Sequence, residues 1–184
     1  MFQSRVFCGF VAGCVLSCWP AIAAGDAKPT APPPPPPPRP PKACATPEFR
    51  QFDFWIGDWA VTDPKGIAAG TNIITLDLNG CVLHEHWTGS KGGAGESFNI
   101  YDGAAKRWHQ TWVDNGGTLL ALDGGLVDGR MVLSGPGRGP KGEPVVNRIA
   151  WEKLADGRVR QTWTVSSDGG ATWATAFDGF YAKR

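Results

Sequence analysis

The stretch Gln51-Phe52-Asp53-Phe54-Trp55-Ile56-Gly57-Asp58-Trp59 decides how the chain is read. Phe52, Phe54, Trp55 and Trp59 are too apolar to be left in water, and Gly57 lets the chain bend before Trp59 leads into Ala60-Val61-Thr62. The pattern predicts a short helical turn that plugs one end of a barrel and runs into a first strand. The residues before it look like delivery apparatus. The residues after it look like strands in need of a first strand to pair with.

Downstream, turn signals recur at roughly 8–14-residue intervals, which is an all-β pattern. Asp63-Pro64-Lys65-Gly66 and Leu78-Asn79-Gly80 mark the first two turns, and Gly92-Gly93-Ala94-Gly95 a looser loop. Asp102-Gly103, Asn115-Gly116, Asp128-Gly129 and Asp156-Gly157 are hairpin dipeptides whose residues tolerate positive φ. Gly135 to Pro144 is expected to be the longest exposed loop. About ten strands result, near 58–63, 69–78, 81–89, 96–102, 106–114, 118–124, 129–134, 146–154, 158–166 and 173–182. No segment holds a helical period. The fold class expected is all-β: a single antiparallel up-and-down barrel, because closure removes the exposed edges of such a meander. The last strand, with the closing stretch Phe177 to Arg184, is expected to pair with the first near Trp59.

The chain has 184 residues, with 25 Gly, 16 Pro, nine Trp and nine Phe. It divides into three segments. Residues 1–24 read as a signal peptide: Arg5, an apolar run from Val6 to Trp19, and a small-x-small site at Ala21-Ile22-Ala23. Val11-Ala12-Gly13-Cys14 and Val15-Leu16-Ser17-Cys18 also resemble lipoprotein boxes, so cleavage after Ala23 and a lipid tether at Cys14 or Cys18 both stay open. Residues 25–43 form a proline-rich linker with seven consecutive prolines from Pro32 to Pro38, a polyproline II spacer. Residues 44–184 are the barrel domain. The location implied is periplasmic or secreted, or lipid-anchored in the envelope.

From Cys44 onward there are 14 basic and 16 acidic residues, which speaks against a nucleic-acid partner. Cys44 and Cys81 remain after export as a pair expected to form a disulfide, free thiols being the alternative.

Three strands carry a polar residue two before a Trp: Glu85 and Trp87, Gln110 and Trp112, Gln161 and Trp163. Residues two apart on a strand face the same way. If that face is inward, these six residues line an amphipathic pocket for a small-molecule ligand. A filled core in which the amides satisfy one another is the competing reading. Glu85 is the candidate catalytic residue, as a general base in such a cavity. No nucleophile elbow or phosphate loop accompanies it, so whether the protein is an enzyme stays open. His84 and His86 then face outward. With His109 they are the only histidines, and a shared metal site is not expected because the third and fifth strands lie ~9.6 Å apart. No cofactor is expected.

Gly57-Asp58-Trp59 at the head of the first strand resembles the Gly-x-Trp motif of lipocalins and related calycin barrels. There the Trp packs across the closed end beneath a basic residue of the last strand; Lys183 or Arg184 would take that part. Residues 44–184 more broadly resemble a family of secreted lipocalin-like domains of unknown function. The matching stretches are Phe52 to Trp59, Gly80-Cys81 through Glu85 and Trp87, Trp108 to Asp114, and Phe177-Asp178-Gly179 with Tyr181. The resemblance implies a calycin barrel and no agreed activity. The strand count also resembles haem-binding nitrobindin barrels, but those use an axial His near the C-terminus, and this chain has none after His109. Ser166 to Trp173 fits an Asp-box, read here as turn chemistry in which Asp168 holds the turn and Trp173 covers the hairpin. Gly57, Trp59 and Arg184 are likewise expected to have structural roles.

Overall fold

The computed structural model describes residues 43–184. The expected signal peptide, most of the linker and the choice between Ala23, Cys14 and Cys18 lie outside the described residues. Ten strands come after two 3-10 turns, Pro47–Arg50 and Asp53–Trp55. They are β1 (Gly57–Thr62), β2 (Ala68–Asp77), β3 (Val82–Gly89), β4 (Ala94–Asp102) and β5 (Arg107–Asp114). The second half is β6 (Leu119–Val127), β7 (Arg130–Arg138), β8 (Pro144–Lys153), β9 (Val159–Ser166) and β10 (Ala174–Lys183). Each strand pairs antiparallel with its neighbour in sequence, and β10 returns to β1, so the sheet is a closed up-and-down barrel with no free edge.

Alternation builds the interior. On β8, Val145, Asn147, Ile149 and Trp151 are buried while Arg148 and Glu152 are exposed. The stretch from Gln51 to Trp59 fills one end. Phe52 stacks on Trp55 with ring centroids 4.9 Å apart and meets the edges of Trp108 and Trp151 at 5.6 and 5.1 Å. Such rings bury ~150–250 Å² each, so at ~25 cal/mol/Å² a single ring contributes about 4–6 kcal/mol before entropy is subtracted. The Trp59 indole N–H donates to the Trp55 carbonyl at 2.9 Å, tying the turn to β1.

Lys183, not Arg184, covers Trp59, with its Nζ 4.1 Å from the ring centroid and 2.7 Å from the Ile56 carbonyl. The register decides between the two. Trp59 pairs with Lys183, and directly opposed residues share a face. Arg184 therefore turns outward and meets Asp58 at the surface. Gly57 has φ 153°, and a Cβ there would lie 2.1 Å from Lys183 Nζ, so only glycine leaves room for the cap.

The Gly135-to-Pro144 segment is also corrected. β7 continues to Arg138 and β8 begins at Pro144, so only residues 139–143 form the loop. At Gly135 a Cβ would sit 2.2 Å from the Ala121 carbonyl oxygen, so this glycine marks a close approach of strands, not a turn.

Cys44 and Cys81 are joined by a disulfide with Cα atoms 5.0 Å apart and a sequence separation of 37. It fastens the chain before the plug to the start of β3, and closing a loop of that size contributes about 3–4 kcal/mol in the chain-entropy description. Among the described residues no helix is long and apolar enough to cross a membrane.

Candidate functional site

The barrel is filled at one end and hollow at the other. The aromatic plug and Trp151 occupy the first half. Beyond them lies a cavity of about 180 Å³ lined by Glu85, Trp87, Gln110, Trp112, Gln161 and Trp163. Leu120, Ile149, Phe177 and Tyr181 complete its wall, and Ala176 stands at the exposed rim. The three polar-x-Trp strands thus bring all six expected side chains to one cavity. One part of the competing reading also holds, since these polar groups are hydrogen-bonded to one another, but they are so bonded around a cavity and not in a filled core.

Their network runs along the inner face of β2 to β5. Asn72 Nδ2 donates to Glu85 Oε1 at 2.7 Å, and the Ser97 hydroxyl donates to Glu85 Oε2 at 2.5 Å. Asn99 Nδ2 donates to Ser97 at 2.9 Å, and Gln110 Nε2 donates to Asn99 Oδ1 at 2.9 Å. Each donor in the chain points toward the Glu85 carboxylate. Across the cavity the Tyr181 hydroxyl donates to Gln161 Oε1, and the Trp163 indole N–H donates to Asn147 Oδ1 at 2.9 Å. Asn72, Ser97 and Asn99 are fully buried. The sequence pattern does not place Tyr181 or these three among the cavity residues, because none is followed two residues later by a Trp. Ser97-x-Asn99, two small polar residues on one face of a strand, was the available signal.

Electrostatics set the state of the site. Burial raises the Glu85 carboxyl to about 7, and the hydrogen bonds from Ser97 and Asn72 and the nearby His84 offset this only in part. Burial, reinforced by Glu85, pushes the Tyr181 phenol well above its ordinary value. The folded state thus holds the Glu85 proton more tightly than the unfolded chain, where a glutamate titrates near ~4.3. Stability from this group is complete below about pH 4.3 and is lost as pH rises through about 7. The expected size is about 3–4 kcal/mol. Urea unfolding of wild type and Glu85→Gln from about pH 4 to 8 checks this. The two stability curves are expected to diverge by about that amount, with wild type the loser at high pH; parallel curves would mean that Glu85 does not titrate in this window.

His84 and His86 lie on the outer face of β3. His109 is apart from them on β5, bonded to Asp123 Oδ1 and to the Thr111 hydroxyl, each at 2.9 Å. At the Asp-box turn, Asp168 accepts from the Thr172 hydroxyl at 2.6 Å, the Thr172 N–H at 2.9 Å and the Ser166 hydroxyl at 2.7 Å. These bonds, led by that of the Thr172 hydroxyl, hold its carboxyl well below the usual range. The Arg148 guanidinium lies 3.8 Å above the Trp173 ring.

No protein-family model matches the chain, and no curated protein matches it at a significant level.

Proposed function

We propose that the chain is an exported barrel that binds a small apolar or amphipathic molecule in the cavity beside Glu85. The observation that carries the reading is the cavity itself: indole and aliphatic walls with a few oriented polar groups, the usual composition of a small-molecule site. An apolar cavity of about 150 Å³ accepts benzene, so 180 Å³ suits a ligand of about one aromatic ring. Glu85, Gln110, Gln161 and the Tyr181 hydroxyl would orient one polar substituent. Export rests on the N-terminal pattern, and the disulfide is what an oxidising compartment favours. The protein would act in the periplasm or outside the cell, released or tethered by lipid at Cys14 or Cys18.

Titration with p-cresol and benzyl alcohol, followed by intrinsic Trp fluorescence, tests the reading. Saturable quenching is expected. A ligand of about eight heavy atoms gains at most about 1.5 kcal/mol from each, which puts micromolar dissociation constants, about −8 kcal/mol, within reach. Ala176→Phe at the exposed rim should abolish the quenching without altering the fold. Quenching that rises linearly, equally in wild type and Ala176→Phe, would overturn the proposal.

A further inference from the structure

The outer face of the barrel carries a second cluster. His84 and His86 project from β3, and Glu96 stands directly opposite His86 on β4. One ligand atom from each of the three falls within 4.8 Å of the others. His84 Nε2 lies 3.2 Å from Glu96 Oε2, and His86 Nδ1 lies 3.5 Å from Glu96 Oε1. The other nitrogen of His84, Nδ1, faces Asp77 Oδ2 at 3.3 Å.

We propose that His84, His86 and Glu96 form a site for a divalent transition-metal ion of the Zn2+ class, with Asp77 orienting His84. The distances fit the ion. Zinc binds imidazole nitrogen and carboxylate oxygen at about 2.0–2.2 Å, so neighbouring tetrahedral ligands lie about 3.3–3.5 Å apart. The two imidazole–carboxylate separations, 3.2 Å to Oε2 and 3.5 Å to Oε1 of the one Glu96 carboxylate, are close to that spacing, so a small shift of the exposed Glu96 side chain brings all three ligands onto one ion. The tautomers fit as well. A neutral imidazole carries one N–H. If His84 donates Nδ1–H to Asp77, its Nε2 presents a lone pair to the same space that Glu96 enters, and an ion between them satisfies both. A carboxylate behind a ligating histidine is the usual second partner of such sites.

Packing holds the arrangement. The His84 ring stacks on Phe98 at 4.3 Å and lies 3.9 Å from the His86 ring, and its side chain is only 16% exposed. His86 and Glu96 are 43% and 53% exposed, so the ion's fourth position opens to solvent. The site is on the opposite side of the sheet from the cavity and does not depend on what the cavity binds. His109 takes no part.

The test is calorimetric titration of tag-free protein with ZnCl2 at about pH 7.5. One ion per chain is expected to bind. His84→Ala and Glu96→Gln should each weaken binding at least tenfold, and Asp77→Asn by about 10–100-fold, the usual loss when an orienting partner is removed. His109→Ala should bind as wild type does. Co2+ should give visible absorption of tetrahedral intensity in wild type and lose it in Glu96→Gln, a readout that altered folding alone would not mimic when the circular dichroism is unchanged. Absence of Zn2+ binding at millimolar concentration, or binding that survives both His84→Ala and Glu96→Gln, would overturn the assignment.

Discussion

A chain ending at Phe180 is expected not to fold. β1 and β10 are joined by four residue pairs, Trp59 with Lys183, Ala60 with Ala182, Val61 with Tyr181 and Thr62 with Phe180. Removing Tyr181 to Arg184 leaves only the last pair, so the barrel opens into a sheet with two long edges. Tyr181 is 1% exposed and packs against Trp55 and Trp59 with centroids 6.5 and 6.3 Å away. Losing a buried aromatic costs about 3–5 kcal/mol. The Lys183 cap and the ladder bonds go with it, against a total stability of about 5–15 kcal/mol. Loss of the near-UV circular dichroism and of a cooperative melt is the expected result. A truncated protein that melts at the wild-type temperature would show that β10 does not close the barrel.

Trp59→Ala comes next in size. The side chain is 1% exposed, its N–H is bonded to the Trp55 carbonyl, and its ring lies between Tyr181 and the Lys183 ammonium. The cost expected is about 3–5 kcal/mol. For a domain of this length that lowers Tm by roughly 10–15 °C. Lys183→Met separates the parts. It keeps the apolar stem over the ring and removes the charge together with its hydrogen bond to the Ile56 carbonyl, so it should cost about 1–3 kcal/mol. If Lys183→Met proved as damaging as Trp59→Ala, the charge and not the packing would hold this end together.

The barrel was legible in the sequence because its turns are written in Gly, Asn and Asp. Asp128, for example, takes φ 48° in the two-residue turn between β6 and β7. The cavity wall was legible because Trp is large and the strand period is two. What failed to show depends on register, which no local pattern carries. Lys183 and Arg184 are both basic, and only the pairing with Trp59 says which one turns inward. Glu96 joins His84 and His86 only because β4 aligns it opposite His86. Asn72 sits in an otherwise ordinary strand, and its bond to Glu85 arises from β2 pairing with β3. Gly135 looked like loop because glycine marks close strand approach and turns alike.

Binding of a small ligand in the hollow half of the barrel, beside Glu85, can be read from the indole N–H signals of 15N-labelled protein titrated with p-cresol. The Trp87, Trp112 and Trp163 signals, from the cavity wall, should shift saturably, while those of Trp59 in the plug and Trp173 on the outer hairpin stay in place. Cavity-wall signals that do not move up to the solubility limit of the ligand, or shifts spread equally over all the indoles, would show that the cavity is not a ligand site.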